Sequence, residues 1–244
     1  MVSNQMTAVL ALLGGAGVRD RSTRLAGTTA AAAAAALGVD GIAAGLGTGP
    51  TGMVLTWGQQ ETSAALEDAQ FTLGQGPCPD AVAGGAPVLI ADLAAATTRW
   101  PAFTPTATAL GVGALFAFPL QIGAISVGEL LAHRAAPGAL SPQQMADALA
   151  LADAVTVLLL HRVPPESDGD DDVRLGEPRP GWAAPATYRA QVHQATGMIS
   201  VQLNVDLAEA LARLRARAYA QDRRVAEVAD DVVARRLRFD PSDP

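Results

Sequence analysis

The sequence predicts two folded units, a mixed α/β domain followed by a small all-helical module. Three observations carry this. Residues 22–160 alternate short apolar runs with helical patterns. Residues 164–180 hold Asp168, Asp170, Asp171 and Asp172 among Gly and Pro, with almost nothing to bury. Beyond residue 185 the apolar spacing is helical only.

The elements follow in order. Residues 1–21 read as an irregular or loosely helical N-terminus. Arg19, Arg21 and Arg24 follow its apolar stretch instead of preceding it, the wrong polarity for a secretory signal. Residues 22–37 form an Ala-rich helix ended by Gly38. Two strands are expected at 41–48 and 52–57, joined by a Thr-Gly-Pro-Thr turn. A short polar helix covers 61–70, and Phe71 to Asp80 is a Gly/Pro-rich loop leading into a helical turn at 80–83. A buried strand is expected at 87–91 and a short helix at 101–110. Two strands at 113–120 and 124–132 meet at a tight reversal around Gln121-Ile122-Gly123.

The segment 141–160 is a long helix, with Ser141 as N-cap and Pro142 at the first helical position. Met145, Leu149, Ala152 and Thr156 form one stripe, beside Leu151, Val155 and Leu159. So broad an apolar surface predicts contact with both the sheet and a partner chain. Residues 164–184 are expected to be a flexible, self-repelling linker. In the C-terminal module, 185–239, Tyr188, Val192, Ala195, Ile199 and Leu203 keep helical spacing. Asp206 caps a second helix with Glu209 at the third position of a capping box, and Leu207, Ala210, Leu211, Leu214 and Ala218 form its inward stripe. A third helix is expected at 224–238, with Val225, Val228, Ala229, Val232 and Leu237 inward.

Composition excludes several classes of function. The chain of 244 residues has a net charge of −7, which argues against a nucleic-acid coat or a membrane-surface protein. The charge is uneven: residues 1–184 carry 8 Arg against 16 acids, and residues 185–244 carry 9 Arg against 8 acids. Cys78 is the only cysteine, so no intrachain disulfide can form, and a reducing, cytoplasmic setting is expected. No stretch of spanning length escapes Gly or charge interruption, so no membrane partner is expected. His133, His161 and His193 form no metal-ligand spacing, and no phosphate loop or nucleophile elbow is present. The reading is therefore of a non-enzyme without cofactor or metal. Cys78 and Asp80 are read as packed residues of the Gly/Pro loop, the thiol lacking a basic neighbour to activate it.

Several strings carry a family resemblance. QFTLGQGPC at 70–78 with Asp80 and Ala81, PVLIADL at 87–93, RWPAF at 99–103, FAFPL at 116–120 and PGALS at 137–141 resemble the GAF domains of actinobacterial regulators. HQATGMISVQLNV at 193–205, EALARLRARA at 209–218 and VAEVADDVVARRLRF at 225–239 resemble an ANTAR domain. The order and spacing cover about 22–163 and 185–239.

The resemblance implies an α+β GAF-like fold, an antiparallel sheet flanked by helices, which takes a small-molecule ligand in some members and none in others. It also implies a three-helix RNA-binding domain that acts, usually as a homodimer, on paired stem-loops of nascent transcripts in transcription antitermination. Many ANTAR domains carry Lys between the Ala and Gly of their first helix, where this chain has Thr196. A Leu-Met pair commonly follows, where it has Ile199-Ser200.

The RNA-binding candidates are Arg213, Arg215, Arg217, Tyr219, Arg223, Arg224, Arg235, Arg236 and Arg238. Arg213 and Arg217 share one face of the second helix, Arg215 lies on another, and Tyr219 is placed to stack on a base or to sit at the rim of the core. One continuous basic face would favour RNA. Arginines tied up in scattered ion pairs would favour the alternative, a dimeric signal-binding or protein-interaction module without RNA binding.

Overall fold

A computed structural model describes residues 2–16, 23–47, 55–58, 61–161, 187–221 and 223–240. The linker expected at 164–184 and the turn expected at 48–51 lie outside them. Among the described residues five antiparallel strands form one sheet in the order β2-β1-β5-β4-β3. They are β1 (Gly41–Leu46), β2 (Leu55–Trp57), β3 (Val88–Ile90), β4 (Ala114–Ile122) and β5 (Ile125–Arg134). β1 and β5 approach closely where Leu46 pairs with Gly128. A Cβ at 128 would run into the carbonyl of Gly45, so only glycine fits there.

On one face of the sheet lie α1 (Asn4–Ala16), α2 (Thr23–Leu37) and α6 (Pro142–Leu160). The Ala-rich α2 buries Ala30, Ala33, Ala34 and Leu37, small residues that let the helix approach the strands. The carbonyls at and just past its C-terminus find partners. Arg134 Nε donates to Gly38 O at 2.7 Å and Gln144 Nε2 to Leu37 O at 2.8 Å, a guanidinium and an amide at the negative end of the helix. Gln144 also closes a capping box with Ser141, the N-cap expected from the sequence. By length and composition α6 is apolar enough to cross a membrane. Here it lies on the sheet with Leu151, Val155 and Leu159 buried.

The N-terminus is more regular than the irregular or loosely helical lead expected over 1–21. Residues 4–16 are a regular helix that buries Met6, Val9 and Leu13, spaced three and four apart. The backbone N–H of Ser3 donates to the buried carboxylate of Asp147 on α6 at 2.8 Å and fixes the start of α1.

The opposite face carries α3 (Glu61–Leu73), α4 (Pro77–Gly84) and α5 (Phe103–Ala109) over Leu115, Ala117 and Leu131. α3 runs three residues past the expected boundary, so Phe71 is helical and not part of a loop. α4 likewise begins at Pro77, the imino acid serving at the first position, where no N–H is needed. The strand expected to be buried at 87–91 is an edge strand, with Leu89 42% exposed. Its apolar run is not a sign of two covered faces.

The C-terminal module is a three-helix bundle of α7 (Thr187–Leu203), α8 (Leu207–Ala220) and α9 (Val225–Val233). Val192, Ala195, Ile199, Ala210, Leu211, Leu214, Ala218, Val225, Val228, Ala229, Val232 and Phe239 form its core. Leu207, expected inward, is 47% exposed. α9 stops at Val233 instead of continuing to 238. Arg235 takes φ of 58°, and the chain turns so that Phe239 closes the core.

Candidate functional site

The arginines of the module divide by where the helices place them. On α8, Asp206 caps the first turn by accepting from the N–H of Glu209 at 2.8 Å. Glu209 then pairs with Arg213 at 3.1 Å, one turn on, instead of completing a reciprocal box. The guanidinium of Arg217 lies 5.5 Å from the Phe239 ring centroid, over the residue that closes the core. Tyr219 is 77% exposed and is therefore not a rim core residue.

Around α9 three guanidinium groups share two carboxylates. Arg224 pairs with Glu227 at 2.9 Å, Arg223 with Asp231 at 2.8 Å, and Arg236 with Asp231 at 2.8 Å. Hydrogen bonds from Arg223 and then Arg236 hold the Asp231 carboxyl below its ordinary range. The cluster keeps one net positive charge. Arg235, Arg236 and Arg238 are exposed in the turn after α9, not in a last helical turn. The surface thus combines ion pairs with an excess of cation and one exposed aromatic ring. Exposed ion pairs of this kind hold their partners weakly and are screened by salt.

Thr196 is buried, and its hydroxyl donates to Val192 O at 2.7 Å. The side chain at this position faces the bundle interior, so a Lys here would have to reach solvent around its neighbours. Among the described residues the space around Gly197 is open: a Cβ there would meet nothing within 4 Å.

Arg215 points elsewhere. Its guanidinium sits 5.3 Å from the ring centroid of Phe71 on α3, and that ring meets His193 of α7 edge-on at 6.5 Å. Burial lowers the affinity of Arg215 for its proton, and its Nε makes no hydrogen bond among the described residues. Sequence reasoning missed both Phe71 and His193, because nothing local to either marks a contact between residues so distant in the chain.

The sheet domain holds a second polar group of residues. Ser63, Glu67 and Gln70 are buried along one side of α3. Ser63 Oγ lies 3.1 Å from Nε2 of the buried His133 on β5, and Gln70 Oε1 accepts from the N–H of Cys78 at 2.8 Å. Burial lowers the pKa of His133 and keeps the imidazole neutral. Burial, and next the Glu129 carboxylate, push the Cys78 thiol well above its ordinary range. A thiol so held is not a nucleophile at neutral pH. Asp80 ties down the loop before α5, accepting from Trp100 Nε1 at 3.2 Å and pairing with Arg99 at 2.8 Å. The period of Ser63, Glu67 and Gln70 was the available signal for this seam, since three polar residues at helical spacing share a face. Among the described residues no cluster of His, Cys, Asp or Glu is arranged to hold a metal.

Residues 185–233 match the model of the ANTAR domain family, which coincides with the three-helix bundle. The chain therefore carries an ANTAR domain. The preceding region is similar to solved GAF domains. One, from the Acinetobacter phosphoenolpyruvate-protein phosphotransferase, is 13% identical with a TM-score of 0.46, over 66% of this chain and 96% of that one. The corresponding GAF domain from Coxiella burnetii is 16% identical with a TM-score of 0.47, over 65% and 96%. The free methionine-R-sulfoxide reductase from Neisseria meningitidis is 18% identical with a TM-score of 0.45, over 66% and 92%. No curated protein matches the chain.

Proposed function

We propose that the chain is a transcription regulator that binds stem-loop RNA through its ANTAR domain and promotes antitermination, with the sheet domain as the signal-receiving part. The observation that carries this reading is the ANTAR family match over 185–233, on a bundle that exposes Tyr219 among arginines. Looped RNA is read by stacking on aromatic rings and guanidinium planes as well as by phosphate contacts. Tyr219, Arg224 and the arginines after α9 present both kinds of group to solvent. Action on nascent transcripts places the chain in the cytoplasm. Pairing of two bundles would let one dimer engage two stem-loops.

A second reading, a dimeric signal-binding or protein-interaction module without RNA binding, is favoured by the pairing of Arg213, Arg223, Arg224 and Arg236 with carboxylates. An affinity measurement separates the two. The full chain is titrated against an RNA of paired stem-loops from its own operon leader, beside a scrambled RNA of the same length. Preference for the paired stem-loops supports the first reading, and equal or no binding supports the second.

A further inference from the structure

α3 touches both units of the protein. Its inner side carries Ser63, Glu67 and Gln70 into the sheet domain, where Gln70 is tied to the backbone of Cys78 and Ser63 to His133. Its C-terminal turn carries Phe71, which packs against the core of the ANTAR domain. Gly74, just beyond, has φ of +63° and lies beneath Arg215: a Cβ there would come within 3.1 Å of Nη1. The bare glycine and the Phe71 ring together form a seat for one guanidinium group.

The seat is a poor one for a cation. It offers Arg215 a ring face, but its Nε finds no acceptor among the described residues. A desolvated guanidinium with an unmet donor is held less firmly than one paired with a carboxylate. The contact is therefore weak enough to be displaced, and Arg215 is a cation withheld from solvent that RNA would recruit.

We propose that the Phe71–Arg215 contact is an autoinhibitory latch: the sheet domain holds Arg215 away from RNA, and movement of α3 releases it. The proposal rests on the RNA-binding reading above. α3 is the natural transmitter, because Gln70 and Phe71 are adjacent on one rigid helix. A rearrangement that changed the hold of Gln70 on Cys78 would shift the ring that covers Arg215.

The test uses the full chain and the paired stem-loop RNA. Phe71→Ala removes the ring. Phe71→Leu keeps apolar bulk without the π face and guards against a folding failure in the first variant. Phe71→Tyr keeps the face. The latch predicts that the Ala and Leu variants, shown to be folded by thermal melting, bind RNA roughly two- to tenfold more tightly than wild type. The Tyr variant should match wild type. Arg215→Ala combined with Phe71→Ala should abolish the gain. Wild-type RNA binding with equal or weaker affinity in the folded Ala and Leu variants overturns the latch and leaves the RNA-binding reading standing. Absence of binding by every variant overturns both.

Discussion

The carboxylate of Asp231 accepts from the guanidinium of Arg223 at 2.8 Å across eight residues, and so ties the start of α9 to its end. Arg236, beyond the helix, takes the other oxygen of the same carboxylate. One acid thus organises two of the cations that RNA would meet.

Replacing that acid separates its two effects. Asp231→Asn should lower the stability of the ANTAR domain at neutral pH. The folded pKa of Asp231 is depressed, so the stabilisation is present above the unfolded aspartate value of about 3.9 and is lost as pH falls through the folded value. Denaturant midpoints of wild type and variant should differ at about pH 7 and converge once the pH has fallen below the folded value. The same change frees Arg223 and Arg236, so RNA affinity should rise and its salt dependence steepen. An affinity that fell with stability intact would mean that the ordered pair, not the free cation, is what RNA needs.

His133 gives the sheet domain a different pH response. Its folded pKa lies below the unfolded value of about 6.5, because the neutral imidazole is buried beside Ser63. The unfolded chain then takes up a proton first as pH drops. Stability should be full above about pH 6.5 and should decline as pH falls from there toward the folded pKa. His133→Gln, which can still bond Ser63, should flatten this part of the stability profile. A wild-type profile already flat through this window would contradict the buried neutral imidazole.

Cys78 should be inert. It is fully buried with a raised pKa. A thiol reagent should label the native protein only through unfolding, and labelling should become fast in denaturant. Cys78→Ser should leave RNA affinity unchanged. Rapid labelling of the folded chain would assign the thiol an exposed, reactive state.

Dimer formation should involve α6 and α1. Leu149 and Val157 on α6 are 45% and 55% exposed, and Leu12 on the adjoining α1 is 51% exposed. Light scattering at roughly tens of micromolar should report a dimer, with Val157→Glu shifting it to monomer. A wild-type monomer at that concentration would remove this surface from the account.

Local chemistry made much of the fold legible. The Ser141–Pro142 start of α6 and the stripe Ala210, Leu211, Leu214 and Ala218 are set by capping and period, and both stand in the structure. Features that depend on distant neighbours were not readable. Val88, Leu89 and Ile90 look alike in a central or an edge strand, and only the sheet order places them at the edge. The end of α9 is decided by Phe239 returning to the core, a contact that outweighs the helical pattern of 234–238. The candidate arginines were visible as residues, but their partners were not. Arg213 with Glu209 follows from spacing, whereas Arg223 with Asp231 and Arg215 with Phe71 need the fold.

RNA binding through the ANTAR domain can be measured by a salt titration of RNA affinity. Wild type and the double variant Arg213→Ala, Arg217→Ala would be titrated with the paired stem-loop RNA. Removing Arg213 gives up its i,i+4 pair with Glu209, about 0.3–0.5 kcal/mol. Removing Arg217 forgoes its contact with Phe239, about 0.5–1 kcal/mol, so the bundle should remain folded. Wild type should bind in a salt-dependent manner, and the variant more weakly, with a slope shallower by roughly 0.7–0.9 for each lost phosphate contact. A wild type that shows no preference for the paired stem-loops at any salt concentration would contradict the RNA-binding reading.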